Sequence, residues 1–104
     1  MTLTAPNGAE VWIVGESRPI TWNRTGSIAT VKLEYSTDGG TTYPNVITAS
    51  TSAATGSYTW TVPDAIGTQL KVRVTDTADA SVADASNANF TIKNRNHQEL
   101  SIVY

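Results

Sequence analysis

The sequence predicts an all-β fold, in which seven or eight short antiparallel strands form a two-layer sandwich. Three observations carry this expectation. Threonine is the commonest residue, serine and alanine follow, and leucine, glutamate and lysine are scarce, a mixture better suited to strands than to helices. Apolar residues recur with period two. Val31, Leu33 and Tyr35 alternate with Lys32, Glu34 and Ser36; Tyr58, Trp60 and Val62 alternate with threonines; Leu70, Val72 and Val74 alternate with Lys71 and Arg73. Such alternation marks strands with one dry and one wet face. Glycine and proline break the chain between these runs, at Gly15, Gly26, Gly39-Gly40, Gly56, Pro63-Asp64 and Gly67.

Taken in order, the first strand is expected at 2–5 and the second at 11–14, flanking the turn Pro6-Asn7-Gly8. The third, at 19–23, contributes Ile20 and Trp22. The strand at 30–36 follows, then a turn and a strand at 43–48. Strands at 57–62 and 70–74 come next, and a last one at 89–93 contributes Phe90 and Ile92. Residues between 74 and 89 read as a loop. Trp22 and Trp60 are in phase with the core positions. Trp12 is out of phase with Val11 and Ile13, and Tyr43 lies beside a turn.

The chain has 104 residues, enough for one domain that buries a core without staples. It contains no cysteine and a single histidine, His97, so disulfides, thiolate metal sites and cysteine nucleophiles are excluded. A net charge of −2 and a pI near 5.1 argue against nucleic acid as a partner, since a basic face is the expected footprint. No apolar run approaches the ~20 residues that span a bilayer. The N-terminus carries no signal-peptide pattern, and the chain is expected to be an excised or processed piece of a longer protein.

Short strands at this turn-punctuated spacing suit an immunoglobulin-like or fibronectin-III-like sandwich. Specific strings point the same way: Ala5-Pro6-Asn7-Gly8-Ala9-Glu10-Val11-Trp12, Ile20-Thr21-Trp22, Val31 through Gly40, and Gly56-Ser57-Tyr58-Thr59-Trp60-Thr61-Val62-Pro63. Together they resemble the Ig-like repeats of large bacterial surface and secreted proteins. They are similar also to the Ig-like domain of yeast Ser/Thr-rich anchored cell-wall proteins. The resemblance spans 3–92 and implies a spacer or adhesive module. Ala9 departs from it, because these repeats often carry a second glycine there.

Four groups of residues are candidates for chemistry. Ser36-Thr37-Asp38-Gly39-Gly40-Thr41-Thr42-Tyr43 reads as an Asp-box hairpin, in which the carboxylate accepts the turn's N–H groups and the glycines take positive φ. It is expected to stabilise the hairpin, with a sugar or calcium site as the alternative. Trp12 and Tyr43 are candidates for a carbohydrate platform, against edge packing of Trp12 between the sheets. Asp76, Asp79 and Asp84 are candidates to offer oxygens to Ca2+, against a solvated acidic loop; their spacing matches no dedicated calcium loop. His97, in a polar stretch, lacks the neighbours that nucleophilic catalysis needs, and the chain is read as a non-enzyme.

The domain organisation expected is a sandwich over 1–93, a polar linker over 94–99 and an apolar strand over 100–104. In that last strand Leu100, Ile102 and Tyr104 are the candidate strand-pairing residues. Three readings of it stay open: the first strand of a following repeat, an edge strand packed on its own sheet, or a strand donated to a neighbouring copy. The partners implied are neighbouring Ig-like repeats or copies of this chain, with polysaccharide as a further one. Three functions are carried forward: a non-catalytic structural or adhesive module of a secreted or cell-surface bacterial protein, a self-assembling fibre subunit, and a carbohydrate-binding accessory domain.

Overall fold

The computed structural model describes residues 1–24 and 26–94. The expected linker beyond Asn94, with His97, and the strand-pairing candidates Leu100, Ile102 and Tyr104 lie outside the described residues. The described chain is all-β, and nine strands make up two sheets: β1 (Thr2–Ala5), β2 (Val11–Ile13), β3 (Ser17–Asn23), β4 (Thr30–Ser36), β5 (Asn45–Ser52), β6 (Ser57–Thr61), β7 (Gly67–Asp76), β8 (Asp79–Ala85) and β9 (Phe90–Lys93). The first sheet has the order β1-β3-β6. The second has the order β2-β9-β7-β4-β5, with β8 also paired to β7.

Every strand expected from the alternation is present, with shifted ends. The strand expected at 43–48 runs instead over Asn45–Ser52, beginning beyond the Asp-box turn, whose bonds run from Ser36 to Thr42. The region read as a loop after residue 74 holds a strand, β8. Its alanines and aspartates are poor strand formers. It is stabilised by tertiary pairing, with Arg73 opposite Ala85, Val74 opposite Asp84 and Thr75 opposite Ala83. β8 and β9 are two halves of one broken strand: β8 pairs with the second half of β7 and β9 with the first. This split accounts for nine strands where seven or eight were expected.

The core lies between the sheets. Leu3, Ile20, Trp22 and Trp60 from the first sheet face Val31, Leu33, Leu70, Val72, Val74, Phe90 and Ile92 from the second, all buried. Each such side chain contributes about 1.5–3 kcal/mol by leaving water, more than a typical net hydrogen bond at about 1 kcal/mol. Burial therefore sets the fold, and polar pairing selects its details. Trp22 Nε1 donates to the Ala53 carbonyl at 3.2 Å. Among the described residues, no buried side-chain nitrogen or oxygen lacks a hydrogen-bond partner.

The most structured connection is the crossover at 6–10, where the chain leaves the first sheet and joins the second. Glu10 turns back to accept the N–H groups of Asn7 (2.8 Å) and Gly8 (2.7 Å). The loop then docks on the break between β8 and β9. Ser86 Oγ donates to the Pro6 carbonyl (2.6 Å), Asn87 N–H to Asn7 Oδ1 (2.8 Å), and Ala88 N–H to the Asn7 carbonyl. Gly8 has φ +142° and Ala9 φ +67°. The residue that departs from the resemblance is thus the non-glycine held in the left-handed region.

The loop completes a longer zipper. Leu3 N–H bonds Asp84 at 2.7 Å, Ala9 N–H bonds the Asn89 carbonyl, Thr91 N–H bonds the Glu10 carbonyl, and Val14 N–H bonds the Lys93 carbonyl. Between them β2 and β9 pair in parallel. Residues 3–14 therefore run alongside 84–93 in the same direction. Thr2 pairs with Asn23 at one pole of the sandwich, whereas Ile13 and Lys93 pair at the other.

Candidate functional site

Residues that pair across antiparallel strands share a face, so the registers fix what the outer side of the second sheet displays. Glu34 lies opposite Arg73, Lys32 opposite Thr75, and Ser36 opposite Lys71. Thr75 in turn lies opposite Ala83 of β8. This face is wet by alternation, yet Glu34 is only 6 % exposed. Its Oε1 accepts from Arg73 Nη2 at 2.9 Å and from Arg73 Nε at 3.3 Å. Its Oε2 is 3.3 Å from Lys32 Nζ. Arg73 in turn lies 4.3 Å above the Tyr43 ring, a cation–π contact. Two half-exposed cations and an aromatic ring thus roof one carboxylate.

Beside this group an open groove of about 390 Å³ runs over the sheet, lined by Lys32, Glu34, Arg73, Thr75, Asp76 and Ala83. Lys32 and Arg73 outweigh Glu34 in it, and Thr75 and the small Ala83 lie beside them on the same face. Asp76 borders the groove, but it lies opposite the inward Val31, and its Oδ1 accepts from Ala78 N–H. The arrangement is equipped for polar recognition: committed cations, spare N–H donors and a hydroxyl.

The Asp-box segment forms the hairpin between β4 and β5. Ser36 Oγ donates to Asp38 Oδ1 at 2.6 Å and accepts from Gly40 N–H at 2.9 Å. Asp38 also accepts from Thr42 N–H at 3.0 Å and from Thr42 Oγ1 at 2.6 Å. These donors, the Ser36 hydroxyl foremost and then Thr42, hold the Asp38 carboxyl well below the usual carboxylate range. Gly39 and Gly40 have φ +74° and +94°. Tyr43 closes the turn. Burial pushes its hydroxyl up, and the nearby Arg73 charge opposes that shift.

The other candidates fall as follows. Trp12 points inward, 6 % exposed, while Val11 is exposed; in the short β2 the phase is the reverse of the one the apolar neighbours suggested. Trp12 packs against Trp60 at 6.1 Å and Phe90 at 5.3 Å, joining the two sheets at the edge. Tyr43 belongs to the Arg73 cluster, so the two rings form no shared platform. Asp76 and Asp79 face each other across the β7–β8 turn, and Asp84 lies farther along β8. Asp84 holds the Leu3 N–H. Asp79 accepts from Ser81, which lowers its pKa. These aspartates lie on two paired strands, Asp76 at the end of β7 and Asp79 and Asp84 on β8, rather than in a loop. Among the described residues no three carboxylates or imidazoles converge on a metal position.

Sequence reasoning missed the Lys32–Glu34–Arg73 group. The signal was present as Lys32-x-Glu34 and Lys71-x-Arg73 on strands of matching phase, but only the register tells which charges meet. Comparison with protein-family models, with curated proteins and with solved structures gave no match in any of the three.

Proposed function

We propose that this chain is a non-catalytic, load-bearing Ig-like spacer of a secreted or surface-exposed bacterial protein. The single observation that carries this reading is the parallel zipper between residues 3–14 and 84–93. β1 enters the sandwich at one pole and β9, the last strand among the described residues, ends at the other. Tension applied at Met1 and Asn94 then pulls the two segments in opposite directions along their common axis. The hydrogen bonds from Leu3–Asp84 to Val14–Lys93 and the β2–β9 pairing are loaded together in shear, not one at a time. Entry and exit at opposite poles also suit head-to-tail spacing of partners.

The strand order supports the finer assignment. A three-strand sheet β1-β3-β6 facing a sheet built on β9-β7-β4-β5 is the arrangement expected of immunoglobulin and fibronectin-III relatives. The threonine-rich outer faces and low charge suit display outside the cell. Single-molecule pulling tests the reading. The domain pulled from its two poles is expected to resist a much higher force than when pulled from Met1 and Ala78. Both of those residues lie at the first pole, so tension there does not run along the zipper, and its bonds open one after another from Leu3–Asp84 onward. Equal unfolding forces in the two geometries would remove the mechanical argument.

A further inference from the structure

We infer that the groove on the outer face of the second sheet binds a carboxylate-bearing sugar residue, its carboxylate toward Lys32 and Arg73 and its hydroxyls toward Thr75. The proposal stands apart from the spacer reading and rests on the charge and donor arrangement alone.

Glu34 fixes two cations without exhausting them. It takes Nε and Nη2 of Arg73 and one contact from Lys32. A guanidinium has five N–H donors and an ammonium three, so Nη1 and two ammonium protons are left to point at a ligand. Because Glu34 holds both side chains, their rotamer freedom is spent before binding, which lowers the ordering cost. Thr75, opposite Lys32, adds a hydroxyl on the same face, and Ala83 leaves room for a ring to approach the sheet.

The chemistry selects among ligands. A dianion such as phosphate meets the Glu34 carboxylate as well as the cations, and that carboxylate disfavours it. A neutral sugar depends on a free aromatic face, and the Tyr43 ring is covered by Arg73. A monoanion flanked by hydroxyls matches the cations and the Thr75 hydroxyl at once. Uronic acids have that form, as free monomers or within an acidic polysaccharide.

The test is a ¹⁵N-correlation NMR titration of the full chain with sodium glucuronate, oligogalacturonate, a neutral maltooligosaccharide and sodium acetate, at matched ionic strength. The groove predicts saturable shifts at Arg73 Nε–H and the amides of Thr75 and Ala83, with a Kd of about 1 mM, ordinary for a small open site. Saturation by glucuronate assigns the site to free sugar acids, and saturation by the oligomer alone assigns it to the polysaccharide. Ala83→Phe fills the groove from the solvent side without touching the Glu34 ion group and is expected to weaken binding at least tenfold. Arg73→Gln should do the same. No shifts at about 10 mM sugar, ten times that Kd, would overturn the proposal. So would equal shifts with acetate or the neutral sugar, or unchanged binding in a folded Ala83→Phe variant.

Discussion

Gly8→Ala probes the crossover loop, and the structure sets the size of the effect. A Cβ built on Gly8 would lie 2.8 Å from the Ala88 Cβ, and Gly8 has φ +142°, a backbone conformation that costs an L residue about 1–3 kcal/mol. The Cβ–Cβ approach is an overpacking contact with little slack, because Ala88 N–H is itself bonded to the Asn7 carbonyl; such contacts typically cost about 1–3 kcal/mol. Allowing for relaxation, the combined loss is about 2–4 kcal/mol. With a urea m-value of about 1 kcal/mol/M for a small domain, the unfolding midpoint should fall by about 2–4 M. A double-mutant cycle with Ala88→Gly separates the two causes. Removing the opposing methyl relieves the steric share and leaves the φ share, so the pair should couple favourably by about 1–2 kcal/mol, well outside the ~0.5 kcal/mol scatter of independent sites. A Gly8→Ala loss below about 0.5 kcal/mol would mean that the loop is not docked on 86–89. A coupling near zero would mean that the contact with Ala88 does not limit Gly8.

Three further predictions address other parts of the fold. Ala9→Gly should stabilise the domain by up to about 1 kcal/mol, since relief of left-handed strain of about 1–2 kcal/mol exceeds the added unfolded-state entropy; a lower urea midpoint would count against the φ of +67°. Trp12→Ala should cost about 3–5 kcal/mol, as for other buried aromatic truncations, whereas a ring serving as an exposed sugar platform would cost almost nothing; thermal melting distinguishes them. The third concerns acid. Asp38 is lowered by Ser36 and Thr42, so its contribution to stability is present above the unfolded carboxylate value and is lost as pH falls below it. Asp38→Asn should therefore be less stable than the parent at neutral pH, and the gap should narrow steadily below about pH 4; a gap independent of pH would refute the hydrogen-bond account.

The sequence carried the sandwich because its signal is local. Alternation in 30–36, 57–62 and 70–74 names the inward residues, and each of Val31, Leu33, Trp60, Val62, Leu70, Val72 and Val74 is buried. It was silent on β8, where Asp79-Ala80-Ser81-Val82-Ala83-Asp84-Ala85 has neither strand propensity nor a clear apolar face, and where pairing with β7 supplies what propensity lacks. Trp12 was ambiguous for a related reason: a strand of three residues is too short for periodicity to set its phase. The Asp-box hairpin was legible in its carboxylate and its glycines, since Asp38 bonds Ser36 and Thr42 two and four residues away; the part of the Ser36 and Thr42 hydroxyls was not read. Glu34 was not. Its burial depends on Arg73, 39 residues away, and no local pattern announces a register.

β8 and Trp12 belong to one location, the side of the sandwich where residues 3–14 run beside 84–93. A sandwich leaves edge strands whose free N–H and C=O groups invite pairing with other chains. Here the first segment divides itself between sheets, β1 on the first and β2 on the second, and β8 and β9 divide at the matching level. The crossover loop fills the double break, with Asn7 and Glu10 supplying side-chain acceptors where no ladder can form. Asp84, opposite the inward Val74, places a charge at the rim of the core and gives it to the Leu3 N–H. An inward charge at an edge discourages foreign strands, and in this position it also starts the zipper. The same contacts that close the edge against neighbours therefore resist tension along the axis. It follows that weakening them, as Gly8→Ala does, should lower the unfolding force and raise the tendency to self-associate together.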